Sequence, residues 1–274
     1  MNIGYVCTNF NNSSVTAHAV KTLLSNTRHN YFVVAVDNKS DPAEIAALSP
    51  LVALGPNVEI IRLPENIGYF AGLNVGIRHL RTTHPEIEWM IVGNNDLQFP
   101  PDFGDRLEQL EPQLRQYAVV SPDIVTGDGE HQNPHVIESI SRAREISYDL
   151  YYSNYFVGIL LQTFAMRFRS ISDRRDEQQW QHARTIYQGH GSCYLLGPRF
   201  FNQFTELWAP TFLMSEEYFL SKQLSDVGQK VYYEPAIQVL HLWHASLAKL
   251  PSRRRWELAR EAHREYRKYV KIFG

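Results

Sequence analysis

The sequence predicts a mixed α/β domain in which helices flank a mostly parallel central sheet. The first observation is a series of short apolar runs, rich in Val, Ile and Tyr and bounded by Asn, Asp, Gly or Pro, which is typical of buried strands. The second is that amphipathic helical patterns alternate with these runs, an order that favours right-handed crossovers and parallel pairing. In the first half we predict strands at 3–8, 31–36, 58–63, 89–92 and 118–120, and helices at 15–25, 42–48, 71–80 and 103–114.

The second half is less regular. Residues 136–187 hold two helical patterns with many aromatic side chains, which predict an inserted helical segment. Beyond it we predict a short strand at 193–196 and a helix at about 216–224. A hairpin formed by 231–233 and 237–240 and a long amphipathic helix complete the chain.

The predicted C-terminal helix is strongly basic. Residues 249–274 contain nine Lys or Arg and three Glu, so they carry +6 whereas the rest of the chain carries −8. The helix could lie on an anionic membrane surface, or pack on the domain with a solvated basic face, and the sequence leaves both interpretations open. Its apolar stripe contains Trp256, Ala259, Ala262, Tyr266, Tyr269 or Val270, and Phe273, and its basic stripe contains Arg260, Arg264, Arg267 and Lys271.

Composition limits the classes of function. Apolar residues make up 44% and charged residues 20% of the 274 residues, as in ordinary globular proteins, and a net charge of −2 argues against a nucleic-acid binder. Cys7 and Cys193 are too few for a disulfide framework or a zinc site, which indicates a reducing cytoplasm. The chain enters a strand-like run at once and holds no apolar run of about 18 residues, so we expect neither a signal peptide nor a membrane span.

Polar clusters follow the predicted strands at the point where each strand ends. Parallel strands place their carboxyl ends at one edge of a sheet, and ligands bind beyond that edge, so we expect the clusters to form one pocket. Each cluster by itself could be a turn or a helix cap. The clusters are 8–12, 37–41, 65–74, 93–96 and 121–123.

The residue types in these clusters suit a nucleotide and a divalent cation. Asp37 can accept a hydrogen bond from a base or ribose, and Asn74 can reach a ribose or phosphate oxygen. Gly68 and Gly72 would let the backbone approach a bulky ligand, and the helix predicted to begin near residue 71 would offer free N–H groups to an anion. Asp96, in a polar bend after a buried strand, suits Mg²⁺ or Mn²⁺, which would bridge the two phosphates of a sugar nucleotide.

Four motifs follow one another along the chain: Thr-x-x-Asn at 8–11, Val-Asp-Asn-x-Ser at 36–40, Asn-x-Gly-x-x-x-Gly-x-Asn-x-Gly-Ile at 66–77 and Asn-Asn-Asp at 94–96. This order resembles the family 2 glycosyltransferases of GT-A fold, a Rossmann-like architecture. The segments 66–74 and 94–96 are similar to rhamnosyltransferase-like enzymes of bacterial surface polysaccharides. Segments 189–193, 212–217 and 235–246 resemble the family's acceptor-side loop, acidic pair and closing histidine segment, so the likeness covers about residues 3–246.

The resemblance implies a division of the chain and a set of site residues. Residues 1–125 would be the nucleotide-sugar-binding half, 126–248 the acceptor-binding and catalytic half, and 249–274 the basic helix. Asp96 and His241 would hold Mg²⁺ or Mn²⁺. The donor would contact Thr8, Asn9, Asp37, Asn38, Asn66, Gly68, Gly72, Asn74, Asn94 and Asn95, and the acceptor would contact Gln132, Asn133, His190, Gly191 and Ser192.

Two positions depart from the family pattern. Asn94, a neutral and weaker ligand, stands where the metal motif usually begins with Asp, and Glu216-Glu217 stands where Glu-Asp is common. We expect Glu217 to be the base that takes the acceptor's proton. Glu216 would raise the pKa of Glu217 by like-charge repulsion or bind acceptor hydroxyls. Both could instead be first-turn acids that favour the helix dipole.

The predicted function is an inverting, metal-dependent glycosyltransferase that moves a sugar from dTDP-rhamnose or a UDP-sugar to a saccharide or lipid-linked acceptor in bacterial surface polysaccharide synthesis. We expect it in the cytoplasm or at the inner face of the plasma membrane. The aromatic run at 151–168 is more typical of a core segment or a homodimer contact than of a membrane contact. The alternatives are a sugar-nucleotide-binding protein without catalysis, which Asn94 leaves open, and a nucleotidyltransferase. A nucleotidyltransferase normally has a Gly-rich basic loop after the first strand, where residues 9–14 contain no Lys or Arg.

Overall fold

The computed structural model describes residues 1–167, 176–242 and 252–272. Within them one central sheet has nine strands. The strands are β1 (Asn2–Asn9), β2 (Asn30–Asp37), β3 (Val58–Arg62), β4 (Trp89–Gly93), β5 (Leu97–Gln98), β6 (Val119–Thr126), β7 (Arg184–Ile186), β8 (Cys193–Leu196) and β9 (Val231–His241). Their order across the sheet is β3-β2-β1-β4-β8-β6-β9-β5, and β7 also pairs with β9.

Parallel pairing forms the longer ladders of this sheet. β1 lies between β2 and β4, with β3 beyond β2, and these three pairings are parallel, as is the pairing of β6 with β9. β8 runs antiparallel between β4 and β6, and the short β5 and β7 pair antiparallel with β9. The predicted mixed α/β architecture is confirmed.

Helices cover both faces of the sheet. They are α1 (Ser13–Leu24), α2 (Pro42–Leu48), α3 (Tyr69–Thr83), α4 (Phe103–Leu114), α5 (Arg142–Ser153), α6 (Tyr155–Arg167), α7 (Pro198–Phe201), α8 (Glu216–Ser225) and α9 (Ser252–Tyr266), with 3₁₀ segments at Ser49–Leu54 and Asp176–Gln179. The predicted inserted segment contains α5 and α6. None of the helices within the described residues is long and apolar enough to cross a membrane.

β1, β2 and β4 form where predicted because they are buried on both faces. Every residue of β4 is buried, and Tyr5 and Val6 of β1 are fully buried although successive side chains point to opposite faces. Tyr5 belongs to the apolar core under α1 and α4, and Val6 belongs to the core under α3 and α8.

The predicted hairpin at 231–240 is wrong, because β9 is one strand of 11 residues. Pro235 follows Glu234, at the point where β9 and β6 shift register by more than one residue. In a sequence, a proline between two apolar runs indicates a turn. Here it lies in an irregularity of the ladder, where its missing N–H is tolerated.

The C-terminal helix α9 packs against α5. Nε1 of Trp256 donates to the carbonyl oxygen of Tyr151 at 3.2 Å, and Arg267 forms ion pairs with Glu145 and Asp149. One face of α9 is therefore packed on the domain, as one of the two interpretations predicts. The side chain of Arg253, also on α9, is 72% exposed. Phe273 and residues 243–246 of the closing histidine segment lie outside the described residues.

Candidate active site

A cavity of about 690 Å³ lies at the edge of the sheet where β1, β2 and β4 end. This volume is typical of pockets for small ligands. Both Asp96 and Glu217, which are far apart in the chain, line it. The other predicted site residues in its lining are Thr8, Asn38, Asn66, Gly68, Asn94, Asn95, Gln132, His190, Gly191, Ser192, Glu216 and His241.

Five predicted contact residues do not line the cavity. Two of them, Asn9 and Asp37, bond to each other: Nδ2 of Asn9 donates to Oδ1 of Asp37 at 2.8 Å, and Oδ2 of Asp37 accepts from the backbone N–H of Ser40. Both side chains are buried. They fix the ends of β1 and β2 to each other, beside the cavity and not in its lining.

Asn74, Gly72 and Asn133 also belong to the framework around the cavity. Asn74 donates to the carbonyl oxygen of Leu207 at 2.7 Å and accepts from its N–H at 2.9 Å. At Gly72 a Cβ would lie 2.8 Å from Cγ2 of Thr8, so this glycine allows α3 to pack on β1 rather than a ligand to approach. Asn133 accepts from the N–H of His190 at 2.8 Å and so positions a cavity residue.

Gly68 and the start of α3 also differ from the prediction. Gly68 has φ of +95°, and its missing side chain makes room for the carbonyl group of Phe212. The helix begins at Tyr69, and the N–H of Tyr69 donates to that same carbonyl at 2.9 Å. The close approach therefore joins two segments of the protein, and this N–H is not available to an anion.

The candidate metal ligands lie together at the cavity. Nε2 of His241 is 3.2 Å from Oδ1 of Asp96 and 3.3 Å from Nδ2 of Asn94. Nδ1 of His241 is 2.8 Å from Oε1 of Gln132. Within the described residues, Oδ1 of Asp96 is buried and accepts no hydrogen bond of good geometry despite this proximity.

This arrangement fits a divalent cation. Because Gln132 offers an acceptor, Nδ1 of His241 donates to it, which turns Nε2 toward the Asp96 carboxylate; a hydrogen-bonded outer partner of this kind is usual for histidine ligands. Burial alone would raise the pKa of Asp96, but His241, a backbone N–H and Asn94 together hold it below its usual value. No group of three or more His, Cys, Asp or Glu side chains with metal-site geometry occurs in the described part of the chain, and within that part Asn94 is the further candidate ligand, beside water and substrate phosphates.

The acidic pair begins α8 at another wall of the cavity. Met214 and Ser215, just before it, both have positive φ, of 76° and 65°, which is uncommon for residues other than glycine. Oε1 of Glu216 accepts from the N–H of Met214 at 2.8 Å, and Oε1 of Glu217 accepts from the N–H of Gly191 at 3.2 Å. The strained turn aims both carboxyl groups at the cavity, a combination often found at functional sites.

The two acids are not equivalent. Glu216 is buried, whereas Glu217 is half-buried. Burial, and then the charge of Glu217, raise the pKa of Glu216 to about 8. From the sequence we expect Glu216 to raise the pKa of Glu217. The structure instead shows Glu217 raising the pKa of Glu216, because Glu216 is the more deeply buried acid and retains its proton.

His190 lies between the pair and the candidate metal ligands and is neutral. Burial, followed by repulsion from His241, lowers the pKa of His190 to about 3. The N–H of Ser192 donates to Nδ1 of His190, which assigns the ring proton to Nε2.

Several cavity residues are not predicted from the sequence. Arg254, Arg255 and Leu258 of α9 line the cavity, although they are distant in the chain from the strand ends. Their helical pattern shows that α9 is amphipathic but not where it packs. The remaining unpredicted lining residues are Phe10, Tyr69, Phe212, Leu213, Met214 and Ser215.

Known proteins resemble this chain in sequence family and in fold. Residues 6–176 match the model of glycosyl transferase family 2. The fold resembles the crystal structure of GalNAc-T7 with UDP, GalNAc and Mn²⁺, with a TM-score of 0.58 and 12% identity over 90% of this chain and 44% of that one. It also resembles the mannosyltransferase PcManGT from Pyrobaculum calidifontis in complex with GDP-Man and Mn²⁺, with a TM-score of 0.54 and 12% identity over 87% of this chain and 56% of that one. No curated protein sequence matches the chain.

These similarities agree at the level of family and architecture. The chain spans about half the length of the two solved structures, and identity this low shows a shared GT-A fold alone. The family model, by contrast, covers more than half of the chain. The chain therefore belongs to glycosyl transferase family 2.

Proposed function

We propose that this protein is an inverting glycosyltransferase that moves a sugar from a nucleoside diphosphate donor to an acceptor hydroxyl. The observation that carries the proposal is the presence of Asp96 and Glu217 in the lining of one cavity of about 690 Å³. A metal-binding carboxylate and a separate base in one pocket are the two groups that such a transfer requires.

The donor would lie at the ends of β1, β2 and β4. Thr8, Asn38 and Asn95 line the cavity there, on the half of the chain that we assign to nucleotide-sugar binding, residues 1–125. The two structural relatives were solved with UDP and with GDP-Man, each with Mn²⁺. We propose dTDP-rhamnose and UDP-sugars as donors, from the likeness of segments 66–74 and 94–96 to rhamnosyltransferase-like enzymes.

Asp96 and His241, with Asn94, would hold Mg²⁺ or Mn²⁺. Such an ion would offset the charge that grows on the departing diphosphate. The lowered pKa of Asp96 keeps its carboxylate ionised at neutral pH, and Gln132 keeps Nε2 of His241 directed at the same point.

Glu217 would accept the proton of the attacking acceptor hydroxyl. The N–H of Gly191 orients its carboxylate, and the glycine leaves it room, since a Cβ at 191 would lie 2.6 Å from Oε1 of Glu217. Glu216, which retains its proton at neutral pH, could donate a hydrogen bond to a second hydroxyl of the acceptor. The acceptor would be a saccharide, free or lipid-linked, of bacterial surface polysaccharide synthesis, bound by residues of the 126–248 half.

The test measures donor hydrolysis and sugar transfer with Mn²⁺ and Mg²⁺ over a panel of UDP-, GDP- and dTDP-sugars. We expect Glu217→Gln to lower kcat by about 10²- to 10⁴-fold with little change in donor affinity, because a base acts in the transition state. Asp96→Ala should remove the dependence on metal. Glu138→Gln, an exposed acid, is the matched control.

Two results would contradict the proposal. Donor binding without hydrolysis or transfer under either metal would favour a sugar-nucleotide-binding protein. Release of pyrophosphate from a nucleoside triphosphate and a sugar phosphate would favour a nucleotidyltransferase.

A further inference from the structure

Helix α6 exposes apolar side chains that a globular domain normally buries. It has no charged residue from 155 to 166, and yet Phe156 and Leu160, one helical turn apart, are 76% and 71% exposed. Val157 and Ile159 are also exposed. Single apolar residues on a surface are ordinary, but a contiguous group on one helix indicates a site of interaction.

Arginines of α9 surround the beginning of this helix. The guanidinium of Arg253 lies 5.7 Å from the ring centre of Tyr155, the first residue of α6, and Nη2 of Arg260 donates to the carbonyl oxygen of Ser153 at 3.1 Å. Arg255 is exposed beside them. We call Phe156, Val157, Ile159 and Leu160 together with Arg253 and Arg255 the docking face.

Within the described residues, α9 carries more arginines than acids, with five Arg against three Glu. On α5, Glu145 pairs with Arg267, and Asp149 pairs with both Arg267 and His263, on the inner side of α9. On α9, Glu257 is shared between Arg253 and Arg254. The surroundings of α6 therefore carry a surplus of cationic side chains.

The docking face adjoins the cavity, because Arg255 belongs to both. Arg254, Arg255 and Leu258 lie on the same turns of α9 as Arg253, and they line the cavity. A molecule held at the docking face would have its polar part at the entrance to the site that contains Glu217.

We propose that the docking face binds the surface of an anionic bilayer and presents the cavity to an acceptor anchored in that bilayer by a lipid. Phe156 and Leu160 would enter the boundary of the acyl chains while Arg253 and Arg255 contact anionic headgroups. The described part of α6, 13 residues, extends about 20 Å, less than the roughly 30 Å of a hydrocarbon core, and the proposal places it along the surface. The lipid-linked acceptor rests on the proposed transfer reaction, whereas the docking itself does not.

A bilayer fits this face better than a second copy of the chain. A two-fold dimer places the same patch of both subunits against itself, so the arginines of each copy would approach those of the other. Anionic headgroups instead supply the opposite charge, and an apolar stripe beside basic side chains is typical of helices at membrane surfaces.

The test is sedimentation of the full chain with vesicles of phosphatidylcholine, with and without phosphatidylglycerol. We expect the wild type to partition at least about tenfold more strongly onto the anionic vesicles. The double variant Phe156→Ser/Leu160→Ser should weaken this binding by at least about tenfold, because two large apolar side chains no longer leave water. Val52→Ser/Val227→Ser, which changes two side chains that are 50% and 45% exposed elsewhere, is the matched control and should bind like the wild type.

Activity separates this inference from the proposed function. Phe156 and Leu160 do not line the cavity, so the variant should hydrolyse donor at the wild-type rate but lose transfer to a lipid-linked acceptor in vesicles. The docking proposal is overturned if the wild type does not bind anionic vesicles, or if the variant binds them as well as the wild type. This holds even where donor turnover is intact. Light scattering that shows a wild-type dimer dissociating in the variant would assign the face to a second copy and overturn it equally.

Discussion

Glu216 and Glu217 are neighbours in the chain, but the fold gives them different surroundings. Glu216 turns back to the N–H of Met214 and is buried, and Glu217 turns to the N–H of Gly191 and is partly open to the cavity. A carboxyl group removed from water and placed beside another carboxylate binds its proton more tightly. The structure thereby divides one acidic pair into a proton holder and a candidate base.

The raised pKa of Glu216 predicts how stability depends on pH. Between the ordinary glutamate pKa of about 4.5 and the folded value of about 8, the folded protein holds a proton that the unfolded chain has lost. This carboxyl therefore makes the folded state progressively less stable as pH rises through that window. Glu216→Gln, which resembles the protonated form, should melt close to wild type at pH 5 and at least about 4 °C above it at pH 8.

The measurement is thermal unfolding of both proteins from pH 5 to pH 8. Glu138→Gln serves as the control, since Glu138 is exposed and its change should leave the slope of Tm against pH as in wild type. Parallel slopes for Glu216→Gln and wild type would show that Glu216 does not carry the extra proton.

At the residue scale the sequence predicts which chemistry is present but not where each side chain points. Asp37 and Asn38 both follow β2, and both are reasonable donor contacts by type. The fold directs Asp37 to Asn9 in the framework, whereas Asn38 lines the cavity and fixes the loop before α3 through its bonds to Ile67 and Gly68. Neighbouring side chains leave an extended backbone on opposite sides, and only tertiary packing decides which side faces the ligand.

At the element scale, the turn before α8 is held in place by the start of α3. The carbonyl oxygen of Phe212 accepts from the N–H of Tyr69, and the absence of a side chain at Gly68 permits this approach. Residues 212–215 lead directly into Glu216 and Glu217. Gly68 of the 66–74 motif thus helps to position the turn that leads into Glu216 and Glu217.

Gly68→Ala should displace this turn. A Cβ there would lie 2.2 Å from the carbonyl oxygen of Phe212, and the positive φ of +95° adds strain. We expect a loss of at least about 2 kcal/mol in the free energy of unfolding and a lower kcat, measured by urea titration and donor turnover.

Gly129→Ala is the control that separates strain from collision. Gly129 also has positive φ, of 85°, but a Cβ there meets nothing within 4 Å. It should cost about 1 kcal/mol and leave turnover unchanged. Equal losses for the two variants would mean that the contact between Gly68 and Phe212 contributes nothing.

Uninterrupted apolar strands with both faces buried are the ones that the sequence predicts well, whereas β6, predicted at 118–120, continues through Ser121, Pro122 and Asp123 to Thr126. β1, β2 and β4 lie within two residues of their predicted bounds, because uninterrupted apolar runs are unambiguous. The prediction of β9 is wrong because its proline occupies an irregular position in the ladder. β5 and β7 are not predicted because two or three residues are too few to show a periodic pattern. Pairing with β9, rather than the β-propensity of their own residues, stabilises β5 and β7 as strands.

At the scale of the whole molecule, the cavity is assembled from both ends of the chain. Thr8 at the end of β1 and Arg254 of α9 line the same cavity. The order of motifs predicts the strand edge, because parallel strands share it. Nothing in the sequence of α9 specifies that it packs on the insert and reaches the cavity, since that depends on contacts such as those of Trp256 with Tyr151.

The candidate metal site likewise joins distant elements, so metal and donor should stabilise the fold together. Asp96 follows β4, and His241 ends β9. A nucleoside diphosphate with Mn²⁺ at about 100 times its Kd should stabilise wild type by about 2.7 kcal/mol, a rise in Tm of roughly 5 °C, and exceed the effect of nucleotide alone. Asp96→Asn should keep the nucleotide effect and lose the increment from Mn²⁺, whereas Asp226→Asn, at an exposed carboxylate paired with Lys222, should keep both. An equal Mn²⁺ increment in Asp96→Asn and wild type would place the ion elsewhere, because an ion held by Asp96 cannot bind as tightly once that negative charge is removed.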